Sequence, residues 1–91
     1  MPTIRVKIEG RVQGVYFRAS AREMAEQLGL KGWVRNTEEG DVEAEVSGDE
    51  DKIWRFVEWC RQGPPRAIVS DVKVSRLEEQ FYYDFKVIRG T

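Results

Sequence analysis

The stretch Thr3-Ile4-Arg5-Val6-Lys7-Ile8-Glu9, followed by Gly10-Arg11-Val12-Gln13-Gly14-Val15-Tyr16-Phe17-Arg18, changes its hydrophobic period within a few residues. Ile4, Val6 and Ile8 alternate with Arg5, Lys7 and Glu9, the two-residue repeat of a half-buried strand. From about Arg18 to Gly29 the repeat lengthens. Phe17, Ala21, Met24 and Leu28, widened by Ala25, form one apolar stripe of an amphipathic helix. Arg22 and Glu26 stand four apart on its polar side, and Gly29 suits the helix end. Residues 10–18 therefore leave the C-terminal end of a strand and open a helix.

Outward from this junction the elements follow in short order. Residues 31–37 read as a second strand, Glu38-Glu39-Gly40 as a turn with a positive φ at Gly40, and 41–47 as a third strand. Val42, Ala44 and Val46 face inward there, and the short turn makes the pair an antiparallel hairpin. Ile53, Phe56, Val57 and Cys60 set the inner face of a second helix over about 49–62, with Asp49 as N-cap and Asp51 in the first turn. Gly63-Pro64-Pro65 ends it. A fourth strand is expected over about 67–76, with Ile68, Val72 and Val74 inward and Ser70 in the same register. A fifth is expected over about 81–88, with Phe81, Tyr83, Phe85 and Val87 on one face. The order predicts an α+β protein: a ferredoxin-like βαββαβ sandwich with two helices on one face of a five-strand, mostly antiparallel sheet. Residues 1–91 are expected to form a single domain.

Composition narrows the function. With 15 Lys and Arg against 16 Asp and Glu, the formal charge is -1, which argues against a dedicated nucleic-acid binder. The hydrophobic fraction of 41% argues against disorder. One cysteine and no histidine leave no intrachain disulfide, no Cys/His zinc site and no histidine base. No apolar run approaches membrane-spanning length and no signal-peptide core opens the chain, so a cytoplasmic protein with no membrane partner is expected. RNA-recognition domains share this topology, but they carry aromatics on the outer face of the first and third strands. Here those positions are Arg5, Lys7, Glu9, Glu43 and Glu45.

The junction is where chemistry is expected. The first turn of a helix has unpaired N–H groups and the positive end of the dipole. Amides from about Gly14 to Arg18 could cradle a phosphate, and Arg18 at the helix start could grip it with two parallel hydrogen bonds. The loop is not a nucleotide P-loop, since no Gly-x-x-x-x-Gly-Lys-Ser/Thr pattern is present. Two readings stand on spacing alone: an anion site, or an ordinary connection with a solvated Arg18.

Gly10 through Arg18 resembles the Gly-Arg-Val-Gln-Gly-Val-x-Phe-Arg motif of the acylphosphatase family. Gly32-Trp33-Val34-Arg35-Asn36-Thr37-Glu38-Glu39-Gly40 resembles its Gly-x-Val-x-Asn-x-x-x-Gly block, and Gly63-Pro64-Pro65-Arg66-Ala67 its helix-to-strand segment. The resemblance implies metal-independent hydrolysis of small acyl phosphates to a carboxylate and orthophosphate, without a cofactor. It implies catalytic roles for Arg18, which binds phosphate, and Asn36, which orients the attacking water. Gln13, Gly14, Val15, Tyr16 and Phe17 complete the implied phosphate cradle, which is expected to accept phosphate or sulfate. Tyr16 stands where glycine is commonest, so an altered loop stiffness or pocket shape is expected. A monomer is expected. An anion-binding module with little turnover is the alternative. Cys60 reads as a structural thiol, Tyr83 as core, and Trp33 as packing on the open side of the sheet.

Overall fold

The computed structural model describes residues 1–89. Its elements are β1 (Thr3–Arg11), α1 (Phe17–Gln27), β2 (Lys31–Asn36), β3 (Val42–Ser47), α2 (Glu50–Gln62), β4 (Ile68–Leu77) and β5 (Phe85–Ile88). They build one sheet in the order β4-β1-β3-β2-β5. β1 runs antiparallel to both β3 and β4, and β2 antiparallel to β3, while β5 adds to β2 in parallel. This is the ferredoxin-like arrangement with an extra edge strand, as the element order predicts.

Both helices cover one face. Ile4, Val6 and Ile8 of β1 lie with Val42, Ala44 and Val46 of β3 and Val34 of β2 under Phe17, Ala21 and Ala25 of α1 and Ile53, Phe56, Val57 and Cys60 of α2. Full burial of an aliphatic or aromatic side chain of this size stabilises the fold by roughly 1.5–3 kcal/mol, so this face dominates the fold's stability. Pairing Ile4 with Val46, Val6 with Ala44 and Ile8 with Val42 fixes the register, because a one-residue slip would turn every core side chain outward.

Helix ends follow their local chemistry. Gly29 (φ 71°) closes α1, with its N–H bonded to the Glu26 carbonyl at 3.1 Å and that of Leu30 to the Ala25 carbonyl at 2.8 Å. Asp49 occupies the N-cap of α2, but its side chain makes no capping hydrogen bond, contrary to expectation. The first-turn carboxylate of Glu50 bonds instead to Trp54 Nε1 (2.9 Å) and to Arg76 on β4.

Two strands depart from the sequence reading. In β4, Glu9 pairs with Asp71 and Gly10 with Val69, which leaves Ser70 without a partner. This bulge moves Val69, not Ile68, into line with Val72 and Val74, and Ile68 is 63% exposed. The expected alternation failed because one inserted residue reverses its phase. The bulge sits against Gly10, where a Cβ would meet the Ile68 carbonyl oxygen at 2.2 Å. β5 begins only at Phe85. Phe81 and Tyr83 stand 84% and 86% exposed, stacked edge to face at 5.7 Å, so neither is core.

Residues 78–84 instead place Tyr82 against the helix-free face. Its hydroxyl donates to Glu45, whose carboxylate also accepts from Arg5 Nε at 2.9 Å. Glu45 points away from the helices yet is buried. The rest of that face is tiled by cross-strand ion pairs, Arg35 with Glu43 and Lys73 with Glu9 among them. Trp33 lies on this side as expected, beneath the Arg35 guanidinium 5.5 Å from its ring centre.

Two outcomes are expected. Gly10→Ala, whose added methyl strikes backbone, destabilises the protein by about 2–3 kcal/mol in urea unfolding. Burial, reinforced by the bond to Glu45, pushes the Tyr82 phenol up to about 12. The neutral phenol is the form favoured on folding. Its contribution is therefore whole below an ordinary tyrosine pKa of about 10 and is lost as pH rises towards 12. Phenolate absorbance of wild type contains a late-titrating component that Tyr82→Phe removes.

Candidate active site

The loop between β1 and α1 is fastened from below and open above. Val12, Val15 and Phe17 are buried, and the Phe17 ring meets Trp59 of α2 at 5.3 Å between centres. Gly14 and Tyr16, between these anchors, are exposed. Gly14 (φ 74°) and Tyr16 (φ 64°) have positive φ and Val15 does not, an alternation that turns successive N–H groups towards one side. Among the described residues the amides of Gly14, Val15, Tyr16, Phe17 and Arg18 donate to no backbone carbonyl, and the first helical bond runs from Ser20 N–H to the Tyr16 carbonyl at 3.1 Å. These free donors lie at the N-terminus of an eleven-residue helix, an arrangement chemically suited to an anion.

Arg18 follows at the second position of α1. It is half-buried, whereas every other arginine of the chain is exposed. Arg5, Arg22, Arg35, Arg61 and Arg76 each hold a carboxylate; among the described residues Arg18, like the exposed Arg11, Arg55, Arg66 and Arg89, forms no ion pair, and of these five it alone is half-buried. A cation drawn towards the protein without an acid beside it keeps its charge for an incoming anion.

Asn36 ends β2, opposite Val42 of β3. It is half-buried, and its side-chain amide makes no hydrogen bond among the described residues. The neighbouring turn is bound to the cradle. Gln13 Nε2 donates to the Thr37 carbonyl at 2.9 Å and to the Asp41 carbonyl at 2.8 Å. Thr37 and Asp41 close the hairpin themselves, through Thr37 N–H to the Asp41 carbonyl (2.9 Å) and Asp41 N–H to Thr37 Oγ1 (3.1 Å). From the other side Lys7 of β1 approaches the Asp41 carboxylate at 3.5 Å. The sequence-predicted residues thus come together as one loop, Gln13 to Arg18, with Asn36 held next to it through the turn. Thr37 and Asp41 were missed because they act through backbone carbonyls, which leave no side-chain signal.

A cavity of about 470 Å³ adjoins Asn36, lined by Lys7, Arg35, Thr37, Glu38, Glu39 and Glu43. A cavity of similar size, about 460 Å³, contains Met1, Phe81 and Tyr83 and none of the candidate residues. Among the described residues no group of three His, Cys, Asp or Glu side chains could hold a metal ion. Burial pushes the Cys60 thiol well above its ordinary range, which makes it a poor nucleophile, in line with its structural reading.

The acylphosphatase family model matches residues 4–87. The chain belongs to the acylphosphatase family. It is 45% identical to an acylphosphatase of Gloeobacter violaceus over 93% of this chain and 91% of that one. The structure of an acylphosphatase from Coxiella burnetii superposes with a TM-score of 0.93 at 45% identity, covering 96% of this chain and 92% of that one. The crystal structure of acylphosphatase from Bacillus subtilis gives 0.94 at 33% identity, covering 98% and 100%. Full-length HypF in its phosphate- and nucleotide-bound form gives 0.85 at 30% identity, covering 97% of this chain but 12% of that one. As an acylphosphatase, the chain is an enzyme that hydrolyses acyl phosphates.

The left-handed backbone at Tyr16 explains why glycine suits this position in an acylphosphatase loop. An L-residue with a Cβ is penalised there by roughly 1–2 kcal/mol. The Tyr16 side chain is 77% exposed, so little packing offsets the strain. Tyr16→Gly therefore raises stability by about 0.5–1 kcal/mol after the entropy of glycine is counted, while Tyr16→Ala brings no gain. Urea unfolding of the three proteins reads the difference.

Proposed function

We propose that Arg18 and the amides of Gln13, Gly14, Val15, Tyr16, Phe17 and Arg18 bind the phosphoryl group, and that Asn36 orients the attacking water. The observation that carries this reading is the half-buried Arg18, which among the described residues has no acidic partner and whose own amide, like the four before it, donates to no backbone carbonyl. A dianionic phosphoryl group would meet charge and donors already in position, so little reorganisation accompanies its binding.

An acyl phosphate is a mixed anhydride whose leaving group is a carboxylate. Carboxylic acids ionise near pH 4, so departure needs no acid catalyst at neutral pH and a site without histidine suffices. The water oxygen forms the new bond to phosphorus. The bond from phosphorus to the acyl oxygen breaks, and its electron pair leaves with the carboxylate. The proton of the water passes to a phosphate oxygen, giving carboxylate and orthophosphate. Negative charge gathers on the equatorial oxygens during transfer, and the cradle and Arg18 stabilise it. The side-chain oxygen of Asn36 would accept a hydrogen bond from the water, setting it in line with the bond that breaks.

In this reading no metal takes part, and the enzyme works as a cytoplasmic monomer on small substrates. A buried free thiol suits a reducing compartment. Among the described residues no helix is long and apolar enough to cross a membrane.

Hydrolysis of benzoyl phosphate in the presence of a chelator tests the assignment. Wild type turns over undiminished. Arg18→Ala loses about 10²–10³ in kcat/KM and binds inorganic phosphate weakly, whereas Asn36→Ala loses kcat to a similar degree with phosphate binding kept. Phosphate binding without turnover by folded wild type would instead favour an anion-binding module.

A further inference from the structure

We propose that the Gln13 side chain is a positioning residue that sets Asn36 against the phosphate cradle. The inference rests on the roles proposed above for Arg18 and Asn36, and deepens them.

Both partners of the Gln13 amide are carbonyls, which can only accept, so its NH₂ group must face them and both of its protons are used. These carbonyls belong to Thr37 and Asp41, the residues that close the β2–β3 hairpin immediately beyond the pair Asn36–Val42. Thr37 is also covalently next to Asn36. The amide therefore spans the mouth of the turn as a clamp, and its own backbone begins the cradle. Two bonds of 2.8 and 2.9 Å link segments that are 24 and 28 residues apart in sequence.

No other side-chain hydrogen bond among the described residues joins the 12–18 loop to the 36–41 turn. The approach of Lys7 to Asp41 comes from the body of β1 and leaves the loop untouched. The main-chain pairing of β2 with β3 fixes Asn36 relative to the sheet, but the loop has already left the sheet at Arg11. The sheet and the buried Val12, Val15 and Phe17 bring loop and turn near each other, and among the described residues the Gln13 clamp is the one direct side-chain link that sets Asn36 against the amides that would hold phosphorus. In-line attack is sensitive to that setting, since a displacement of about 1 Å can cost about 10²-fold in rate.

The test is a double-mutant cycle on benzoyl phosphate hydrolysis, with inorganic phosphate as competitive inhibitor. Gln13→Met keeps the length of the side chain and removes both donors; Gln13→Ala serves as a second variant should the first unfold. Thermal melts confirm that each variant is folded. The expected result is a fall in kcat of about 10- to 100-fold with the phosphate inhibition constant changed less than about threefold. In the Asn36→Ala background the same change at Gln13 has little further effect, because the group it positions is gone. Unchanged kcat in a folded variant overturns the proposal. So do losses that multiply in the double mutant, or an inhibition constant that rises as kcat falls, which would make Gln13 part of phosphate binding alone. Full activity of Asn36→Ala by itself overturns the role of Asn36 and the positioning inference with it. Full loss in Asn36→Ala with none in Gln13→Met overturns the inference alone.

Discussion

β1 is held on both edges, by β3 on one side and β4 on the other, and its inner face is sealed by Ile4, Val6 and Ile8. Nearly everything at the site depends on this pairing. The strand cannot slip by a residue without exposing three aliphatic side chains, so the point where it ends at Arg11 is fixed. The loop that follows starts from a rigid origin and is pinned again by Val12, Val15 and Phe17. Between those pins the chain is driven into positive φ at Gly14 and Tyr16. The free amides are a consequence of that path. The same pairing sets β3 beside β1, and hence brings the β2–β3 turn within reach of Gln13.

Electrostatics divide the molecule into two faces with different logic. On the helix-free side cations and carboxylates are neutralised in pairs across strands, down to the buried Glu45 shared by Arg5 and Tyr82. Exposed pairs of this kind contribute little individually, but they leave few free charges to attract a ligand. At the head of α1 the pattern is reversed: Arg18 is drawn in without an acid, and the helix dipole adds to its field. In the proposed reading an acyl phosphate needs this arrangement and little else, because its leaving group departs as a stable carboxylate.

Much of this was legible from residues alone, for reasons that can be named. The core positions of β1 and β3 alternate without interruption and the helices carry unbroken apolar stripes, so the inner faces were read correctly, although in β3 the outward Glu45 is buried as well. The strand-loop-helix junction and its glycines left an anion site and an ordinary connection both open, and it was the family motif that favoured the anion and implied roles for Arg18 and Asn36. The misreadings fall where local pattern competes with tertiary geometry. Ile68 was assigned to the core because a bulge at Ser70 leaves no mark on hydrophobic alternation. Phe81 and Tyr83 alternate with Phe85 as a strand would, yet Tyr82 is drawn to Glu45 on the other face and the ladder starts late. The Gln13 clamp was hidden because its partners are main-chain carbonyls far along the sequence.

The central claim is that the amides from Gly14 to Arg18, with the Arg18 side chain, form the phosphate site. An amide-resolved titration of ¹⁵N-labelled protein with inorganic phosphate by NMR examines it most directly. The account predicts saturable shifts concentrated at Gly14, Val15, Tyr16, Phe17 and Arg18, abolished by Arg18→Ala. Shifts centred on the helix-free face around Arg5 and Arg35, with the loop amides unmoved, would contradict it.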